Sequence, residues 1–430
     1  MSTIKQELSD PLAAAGDVAP EVSELAAGAT AARQDKAPPR ILRHMLALED
    51  FEEPARRYLP RPMFGYVSGG AETNVSLRGN RAAFDELAFV PRVLVDVSAR
   101  TTKTTLFGRT YDAPFGFAPM GGSSMAAYQG DIVLARTAAR ANIPMIMSGA
   151  SLTRLEDVRA AGRTAWFQAY LPGETEAITQ LVGRVARAGF DTLVLTVDVP
   201  VAANRENNVR SGFSRPLRPT LRLAWDCALR PSWLTGMFLR TLFVHGIPHF
   251  ENMGARVPLI TRTAERDRGP RDGLAWTHVE LMRRLWKGRL VLKGVLDKED
   301  ARIARESGVD GVIVSNHGGR QLDGASAPLR MLPAIVSQAG TMTVMMDSGI
   351  RRGTDVLKAL ALGANFVFVG RPFLYAAAIA GDAGVRHAIK LLRDEISRDM
   401  ALLGITTLAQ MRRERLIDAH SIDGKSIAER

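Results

Sequence analysis

The stretch DGVIVSNHGGRQLDG, residues 310–324, changes from apolar to polar within a few residues. Residues 311–314 are glycine and β-branched residues, which is typical of a buried strand in a parallel sheet. A glycine-flanked loop with His317 and Arg320 follows at once. An α/β barrel presents an acid/base group and an anion-binding group in this way, because its chemistry lies where the strands end. A surface histidine beside a solvated arginine is the alternative, and the choice depends on the rest of the chain.

The same alternation of strand and helix recurs along most of the chain. Eight apolar runs of strand length occur at 115–118, 145–147, 166–170, 192–197, 290–292, 311–314, 343–346 and 366–369. Segments with helical spacing of apolar residues lie at 132–140, 176–188, 298–306, 330–338 and 354–362. Eight such units predict a (β/α)8 barrel, also called a TIM barrel. A doubly wound sheet is the competing fold, but MGGS at 120–123 lacks the full glycine spacing of a dinucleotide-binding turn.

Segments outside the repeat set the predicted domain boundaries. Residues 1–40 are rich in Ala, Ser, Gly and Glu and predict a flexible N-terminal extension. The barrel domain is expected over 41–415, and it begins with an N-terminal helical segment. That segment has an amphipathic helix at 41–53, stopped by Pro54, and a glycine-rich turn at 64–72 that carries Tyr66. Helices at 373–380 and 385–403 should close the barrel, and 416–430 reads as a polar, peripheral tail.

The composition limits the kinds of partner. The chain has 430 residues and a single cysteine, Cys227, which excludes an intrachain disulfide and fits a reducing, cytoplasmic compartment. We expect neither a secretory leader nor a membrane-spanning helix. The net charge of +11 permits anionic partners, including phosphate cofactors and carboxylate substrates. Because no zinc-ligand spacing and no lysine-rich tract with interleaved aromatics occurs, we expect no metal site and no nucleic-acid binding.

A long insertion interrupts the repeat between the fourth and fifth strands, at 200–288. It contains two apolar stretches, 221–225 and 233–244. Arginines flank them at Arg215, Arg218, Arg222, Arg230 and Arg240. This composition suits a segment, about 217–250, that lies on an anionic membrane surface. The alternative is an insertion that packs on its own barrel or on a neighbouring subunit.

Polar or ionisable residues follow nearly every predicted strand, where barrel enzymes place their chemistry. Together with the apolar residues and glycines beside them, the candidate site residues at the strand ends are Pro119, Met120, Gly121, Ser148, Gln168, Tyr170, Thr196, Asp198, Lys293, Ser315, Asp347, Gly349, Arg351, Gly370 and Arg371. The glycine–arginine pairs after the last two strands predict a phosphate pocket, although either pair alone fits a turn with a solvated arginine. A lysine on a buried strand requires an anion or an electron-rich cofactor. Asp198 either orients His317 or caps a helix.

With these residues assembled, the chain resembles the FMN-dependent α-hydroxy acid dehydrogenase and oxidase family. Glycolate oxidase, bacterial L-lactate dehydrogenases and mandelate dehydrogenase belong to that family. The resemblance covers residues 46–411 and rests on three motifs: SNHGGRQLDG at 315–324, DSGIRRGTD at 347–355 and GRP at 370–372. It implies FMN as the cofactor. Ala150 and Ala202 are smaller than their counterparts in glycolate oxidase, which implies a roomier substrate pocket.

The resemblance implies a role for each candidate. His317 is expected to be the active-site base, with Asp198 behind it, and Arg205 and Arg320 are expected to clamp the substrate carboxylate. Tyr66 resembles the tyrosine that closes over the substrate, and Tyr170 the one that bonds the reacting hydroxyl. Lys293 resembles the lysine beside the flavin N1 and the C2 carbonyl. The implied flavin contacts are Pro119, Met120, Gly121, Ser148, Gln168, Thr196 and Ser315, and the implied ribityl and phosphate contacts are Asp347, Gly349, Arg351, Gly370 and Arg371.

The implied reaction is oxidation of a lactate-like or mandelate-like L-2-hydroxy acid to the 2-oxo acid. Electrons would pass from FMN to a quinone or another respiratory acceptor at the inner face of the cytoplasmic membrane, and the assembly would be a homotetramer. One alternative is a soluble oxidase that passes electrons to oxygen and makes hydrogen peroxide. Another is a non-catalytic FMN- or phosphate-binding barrel. FMN barrels with a loop cysteine as nucleophile are disfavoured, because Cys227 lies in the insertion.

Overall fold

A computed structural model describes residues 39–171, 173–254, 256–262, 271–420 and 426–427. The predicted N-terminal extension, 1–40, lies outside the described residues except for its last two. The predicted helix at 41–53 is wrong as a single helix, since two short 3-10 turns, Arg40–His44 and Leu48–Phe51, occupy this range. Pro54 does not stop a helix. It lies in the first turn of α1 (Glu52–Tyr58), where the missing N–H of proline costs nothing.

The predicted glycine-rich turn at 64–72 is also wrong over its first part. Tyr66 lies on a helix, α2 (Arg61–Ser68), and α3 (Val75–Asp85) follows after a short loop. A Cβ added to Gly65 would stand 2.6 Å from the Ser211 side chain. Gly65 therefore serves close packing between two segments and not chain flexibility. Helix α2 holds Tyr66 in a fixed, buried position.

Eight parallel strands close into a barrel, as predicted. A short strand, β1 (Leu87–Phe89), and a hairpin, β2 (Thr104–Leu106) and β3 (Arg109–Tyr111), precede it. The next four strands are β4 (Phe115–Phe117), β5 (Met145–Ser148), β6 (Ala165–Ala169) and β7 (Thr192–Thr196). After a strand pair in the insertion, β8 (His249–Phe250) and β9 (Val257–Pro258), come β10 (Arg289–Val295), β11 (Gly311–Val314), β12 (Thr343–Met346) and β13 (Phe366–Val369). Pairing of β10 with β7 joins the two halves.

The helices between the strands follow the predicted periodicity closely. Before the insertion they are α4 (Ser123–Ala126), α5 (Gly130–Arg140), α6 (Leu155–Ala161) and α7 (Thr175–Arg187). The insertion contains α8 (Glu206–Ser211), α9 (Leu221–Ala228), α10 (Pro231–Trp233), a π-helical segment (Leu234–Leu239), α11 (Arg240–His245) and α12 (Trp276–Leu285). The last are α13 (Lys298–Glu306), α14 (Pro328–Ala339), α15 (Gly353–Ala361) and α16 (Arg371–Leu402). Non-helical angles at Ala380 and Gly381 divide α16 near the predicted break.

Apolar side chains fill the inside of the barrel, among them Trp166, Ile313 and Phe368. The hairpin of β2 and β3 closes the N-terminal end, where Phe107 contacts Trp166 at a ring separation of 5.7 Å. Arg289, the first residue of β10, lies over the Phe107 ring. This end of the barrel is therefore packed and apolar. The polar side chains that follow the strands lie at the opposite, C-terminal end.

The insertion combines packed and exposed apolar side chains. Trp233 is buried, with 2% exposure, and its indole N–H donates to the Met125 carbonyl at 3.0 Å. In contrast, Leu221, Trp225 and Phe243 are 92%, 66% and 82% exposed. One side of the segment therefore packs on the barrel, as the second alternative predicts, and another side faces outward. Contact of that outer side with a membrane stays a prediction. Among the described residues, no helix is both long and apolar enough to cross a membrane.

The predicted peripheral tail, 416–430, is wrong for its first residues. Strand β14 (Leu416–Asp418) pairs antiparallel with β1, and Leu416 is fully buried. Residues 421–425 and 428–430 lie outside the described part of the chain. The C-terminal segment thus ties the end of the barrel domain to its beginning.

Candidate active site

A cavity of about 500 Å³ opens at the C-terminal ends of the barrel strands. Most predicted site residues line it: Tyr66, Pro119, Met120, Gly121, Tyr170, Arg205, Lys293, His317, Arg320, Asp347, Gly349, Arg351, Gly370 and Arg371. The remaining predicted residues, Ser148, Gln168, Thr196, Asp198 and Ser315, do not line the cavity. All but Asp198 are buried at or just beyond the ends of their strands.

The loop of residues 315–324 is fixed by contacts with α3. The side chains of Asn316 and Asn80 exchange two hydrogen bonds of 2.7 and 2.8 Å. Asp323 accepts hydrogen bonds from the backbone N–H groups of Val75 and Ser76 at the start of α3. A Cβ on Gly319 would stand 2.5 Å from the Leu77 nitrogen, so the loop can approach this helix only through glycine. The strand sequence predicts the start of the loop, while α3 sets its position.

His317 and Asp198 form the predicted pair. The His317 Nδ1 lies 3.0 Å from Asp198 Oδ1, and the Ser315 hydroxyl accepts the His317 backbone N–H. Burial lowers the pKa of His317, and Asp198 opposes that shift. Burial alone would raise the pKa of Asp198, but His317 and Lys293 outweigh it and hold that pKa below its ordinary value. Near neutral pH the pair is therefore a neutral imidazole beside a carboxylate.

Two residues that the sequence reasoning missed hold Asp198 in place. A Cβ on Gly294 would stand 2.7 Å from the Asp198 side chain, so a glycine on β10 leaves room for the carboxylate. The Gln321 side chain donates to the Asp198 carbonyl at 3.0 Å. The helix-cap alternative for Asp198 is wrong, because α8 begins only at Glu206. The signal for Gln321 was its place in the motif, whereas nothing local pointed to Gly294.

Arg205 and Arg320 lie side by side on the wall of the cavity. Arg205 Nε donates to the Arg320 carbonyl at 2.9 Å, and its Nη2 donates to Gln321 at 2.7 Å. Arg320 Nη1 donates to the carbonyls of Val67 and Gly69. Burial lowers the pKa of both guanidinium groups to about 10, so both keep their charge near neutral pH. Each guanidinium carries five N–H donors, so donors of both remain for an anion in the cavity.

Lys293 is a buried cation with a partner. Its Nζ lies 3.2 Å from Asp347 Oδ2 and donates to the Ser315 hydroxyl at 2.9 Å. Burial opposes the charge of Lys293, but the carboxylates of Asp347 and Asp198 outweigh it and raise its pKa. The Lys293 ammonium therefore stays charged in the cavity lining, to which His317 also belongs.

Buried polar groups at the ends of β5, β6 and β7 provide a test of the FMN prediction. The Ser148 hydroxyl donates to Gln168 Oε1 at 3.1 Å. In the described part of the chain, Gln168 Nε2 and Thr196 Oγ1 are buried without a hydrogen-bond partner. A buried donor without an acceptor is rare in folded proteins and marks a ligand position. These donors, with Lys293 Nζ, match the carbonyl and ring-nitrogen acceptors of a flavin, so the residues fit FMN.

The two predicted phosphate-binding arginines differ in their surroundings. Burial lowers the pKa of Arg351, and its Nη1 donates to the Ile350 carbonyl at 2.9 Å. Arg371 donates from all three nitrogens to the carbonyls of Val67, Gly69 and Gly318. Arg371 thus joins α2 to the His317 loop, which the sequence did not predict. We therefore expect Arg351 to carry more of the charge that faces a phosphate.

The Ser348 side chain links the His317 loop to Asp347, which follows β12. Its hydroxyl donates to Asp347 at 2.9 Å and accepts the Gly318 N–H at 3.0 Å. Its backbone φ of +79° lies in the left-handed region, which glycine adopts more readily than other residues.

Aromatic side chains form the upper wall of the cavity. The Tyr66 hydroxyl donates to the Gly121 carbonyl at 3.2 Å, and the Tyr66 ring stacks on Phe213 at 4.3 Å. Arg271 lies over the Tyr170 ring at 4.9 Å. Burial raises the pKa of the Tyr170 hydroxyl, which keeps it a proton donor at physiological pH. The sequence reasoning missed Phe213 and Arg271, because both belong to the insertion at 200–288, where it looked for no site residue beyond Arg205.

Arg215 is the clearest correction. The sequence places it among arginines flanking the membrane-facing stretches, but its side chain lines the barrel cavity. Its Cζ lies 4.9 Å from the Tyr66 ring centroid. No sequence pattern identifies this contact, because it arises from the path of the insertion over the barrel mouth. Among the described residues, no group of His, Cys, Asp and Glu could hold a metal ion.

Comparisons with known proteins agree with this geometry. A sequence model described as FMN-dependent dehydrogenase matches residues 55–418. An L-lactate dehydrogenase of Caulobacter vibrioides (strain NA1000 / CB15N) is 40% identical over 375 residues, which cover 84% of this chain and 95% of the relative. An L-lactate oxidase of Lysinibacillus sphaericus (strain C3-41) is 37% identical over 384 residues, with 88% and 95% covered. The matches thus include both dehydrogenases and oxidases.

Solved structures show the same fold. The crystal structure of a monotopic membrane protein, (S)-mandelate dehydrogenase, superposes with a TM-score of 0.81 and 34% sequence identity, covering 87% of this chain and all of that chain. A mandelate oxidase with (S)-2-phenylpropionate superposes with a TM-score of 0.72 and 36% identity, covering 86% and 98%.

Proposed function

The chain belongs to the FMN-dependent dehydrogenase family and is an FMN-dependent oxidoreductase of 2-hydroxy acids; from this premise we propose its substrate, its catalytic residues and its electron acceptor. The substrate is an L-2-hydroxy acid of the lactate or mandelate type, and the product is the 2-oxo acid. The observation that carries the proposal is that His317, bonded to Asp198 behind it, lines one cavity with Arg205 and Arg320. These groups supply a base and a carboxylate clamp within the same space.

Arg205 and Arg320 bind the substrate carboxylate in this proposal. The hydrogen bonds described above use Nε and Nη2 of Arg205 and Nη1 of Arg320, which leaves donors of both for a carboxylate. Two guanidinium groups hold a carboxylate in a fixed orientation, which lowers the entropic cost of reaction. Tyr170, which lines the same cavity, would donate to or accept from the reacting hydroxyl.

His317 accepts the proton in this proposal, and Asp198 positions it. Because Nδ1 faces the Asp198 carboxylate, the hydrogen bond assigns the Nδ1–H tautomer and leaves Nε2 as the basic atom. Once Nε2 takes a proton, the carboxylate stabilises the imidazolium. The same atom serves whether the proton comes from the hydroxyl or from the α-carbon. Asp198 is therefore a positioning residue and His317 the catalytic base.

FMN supplies the two-electron acceptor for this oxidation. Gln168, Thr196 and Lys293 would hold its ring, with Ser148 and Ser315 behind them. Asp347, Gly349, Arg351, Gly370 and Arg371 would hold the ribityl chain and the phosphate. The charge of Lys293 would favour electron uptake by the ring, because it places a buried cation beside the acceptor atoms.

A quinone is the proposed final electron acceptor, with the exposed face of the insertion resting on a membrane. Leu221, Trp225 and Phe243 are exposed, and Arg218 and Arg222 flank them, as in segments that bind anionic bilayers. A cavity of about 300 Å³ with apolar walls lies beneath this face, between Trp233 and Leu223. The membrane neighbour among the solved structures supports the same idea. Homotetramer formation stays a prediction, to be checked by light scattering.

A soluble oxidase is the second candidate, because the relatives include an L-lactate oxidase and the solved structures include a mandelate oxidase. The two candidates differ in how fast the reduced enzyme reacts with oxygen. Rapid hydrogen peroxide formation in air by the purified enzyme, without reduction of an added short-chain quinone, would favour the oxidase. Quinone reduction in air without peroxide would favour the dehydrogenase.

One experiment tests the proposed reaction. The FMN-loaded protein is mixed anaerobically with L-lactate, L-mandelate, their D-enantiomers and longer 2-hydroxy acids, and the flavin absorbance near 450 nm is followed. We expect bleaching by L-2-hydroxy acids only, with one 2-oxo acid formed per flavin. Absence of bleaching by every acid would contradict the proposal, and bleaching by D-acids alone would contradict the assigned stereochemistry.

A further inference from the structure

Arg215 provides an additional charge in the substrate cavity, and its backbone is fixed. The Leu217 N–H donates to the Leu259 carbonyl at 2.7 Å, and the Thr261 N–H donates to the Leu217 carbonyl at 3.1 Å. Phe213, two residues earlier, is buried against Tyr66. These contacts hold the segment of residues 213–217 across the barrel mouth. The Arg215 guanidinium therefore enters the cavity from a rigid support.

The guanidinium of Arg215 has aromatic neighbours but unsatisfied donors. Its Cζ lies 4.9 Å from the Tyr66 ring centroid and 5.5 Å from the Phe250 ring centroid. Within the described ranges of the chain, its Nε and Nη2 are buried and have no hydrogen-bond partner. Stacking on rings satisfies the planar faces of a guanidinium and not its N–H groups, which lie in the plane. An acceptor in the cavity would complete them.

Positive charges outnumber negative charges in the cavity, even when a substrate with one carboxylate is counted. Asp347 is the one acidic residue in the described lining, and it pairs with Lys293. The phosphate of FMN would face Arg351, and the carboxylate of a 2-hydroxy acid would face Arg205 and Arg320. Arg215 adds to this positive field, since its charge contributes to the lowered pKa of both clamp arginines. A second negative charge on the substrate would reduce this excess of positive charge.

Gly121 is the residue that lets the Arg215 guanidinium reach into the barrel mouth. A Cβ placed on Gly121 would stand 3.1 Å from Arg215 Nη2 and 3.1 Å from the Ala150 Cβ. Tyr66 closes the other side, where its hydroxyl lies 3.4 Å from the same position. A side chain on residue 121 would therefore crowd Arg215 Nη2, and glycine leaves it uncovered. Arg215 lines the same cavity as Arg205, Arg320 and His317, so this cavity would take the far end of a substrate that the clamp holds by its first carboxylate.

We propose that Arg215 forms a second anion subsite and that the preferred substrates are 2-hydroxy dicarboxylic acids of four or five carbons. The inference rests on the proposed function, because it assumes the clamp of Arg205 and Arg320. The first carboxylate binds the clamp, and the distal carboxylate accepts hydrogen bonds from Nε and Nη2 of Arg215. This geometry suits the parallel donors of a guanidinium, which a lysine ammonium does not reproduce.

The test compares flavin reduction by L-malate, L-2-hydroxyglutarate and L-lactate in the FMN-loaded enzyme and in the R215M and R215K variants. We expect the wild-type kcat/KM to be at least tenfold higher for one dicarboxylate than for L-lactate. In R215M the ratio of the two kcat/KM values should fall by about 100-fold, because a buried guanidinium leaves its anion unpaired when it is removed. R215K should recover part of that ratio through its charge.

Arg187 on α7 is exposed and does not line the cavity, so it gives the control, and R187M should keep the wild-type ratio. The unchanged flavin absorbance spectrum of each variant shows that FMN is still bound. A wild-type preference for L-lactate, or an equal loss for both substrate classes in R215M, would overturn the subsite. Absence of bleaching by every acid would instead overturn the proposed function, so the two failures are distinguishable.

Discussion

Most folded proteins bury apolar side chains and expose charged ones, and two regions of this molecule depart from that rule. The barrel mouth buries charged side chains, whereas the outer face of the insertion exposes apolar ones. At the mouth, Lys293 is buried with only 3% exposure, and Arg351 and Arg371 are largely desolvated. On the outer face, Trp225 and Phe243 stay mostly exposed. Burial of charge and exposure of large apolar groups are both unfavourable unless a partner compensates for them. The comparison indicates two kinds of partner, anionic small molecules inside and an apolar surface outside.

Replacement of His317 should give the largest effect and would test the mouth alone. In His317→Gln, the rate of flavin reduction by substrate should fall about 1,000-fold, in the range expected for loss of a general base. FMN should remain bound, because the proposed FMN contacts do not include the imidazole. Stopped-flow absorbance measures the rate. His44→Gln, at an exposed position, is the matched control, and bleaching at the wild-type rate in His317→Gln would disprove the role of base.

Loss of Arg351 should weaken FMN binding by about 30-fold, because a buried cation beside a phosphate contributes more than an exposed one. Fluorescence of released FMN on dilution measures the affinity of Arg351→Ala. The neighbouring Arg352 pairs with Glu395 at 2.9 Å and does not line the cavity, so Arg352→Ala is the control. Equal FMN retention by both variants would argue against the phosphate site and leave the role of His317 untouched.

The mouth was more predictable from sequence than the insertion for a physical reason. The strands predicted at 311–314 and 366–369 are confirmed. Their positions could be predicted because a strand buried in a parallel sheet needs a continuous apolar run. The residues that follow such strands meet at one end of the barrel whatever the loops do, so His317, Lys293 and Arg351 were found together. Tyr66 was also assigned to the site, although its helix was predicted as a turn.

Sequence reasoning failed where position depends on long-range packing. Gly65 was predicted to lie in a turn and Gly294 was not singled out, but each leaves space for a particular side chain, those of Ser211 and Asp198. Arg215 and Trp233 share an apolar, arginine-rich composition with their neighbours, yet one enters the cavity and the other packs beside Met125. Composition alone cannot separate the two sides of the insertion, because both sides are apolar.

The outer face should respond to substitutions that leave the mouth unchanged. A Trp225→Gln/Phe243→Gln double variant should bind anionic phospholipid vesicles about tenfold more weakly, because apolar area drives interfacial binding. Vesicle sedimentation measures this, and flavin bleaching by substrate should match the wild type. Leu402→Gln, at another exposed apolar position, is the control. Point substitutions are preferable to deletion of 221–243, because deletion would remove the buried Trp233. Unchanged vesicle binding would rule out the membrane contact.

The pH dependence of flavin reduction should give the smallest and most specific effect. His317 must be neutral to accept a proton, and burial lowers its pKa below the ordinary value of 6.5. The neutral form therefore persists at lower pH than for an ordinary histidine, so the rate should decline on acidification with a midpoint below pH 6.5. Asp198 opposes this shift, so in Asp198→Asn the midpoint of the decline should move to still lower pH, with a reduced maximal rate. Stopped-flow rates across a pH series measure both midpoints, and a wild-type midpoint above 6.5 would mean that the Asp198 carboxylate outweighs burial at the mouth.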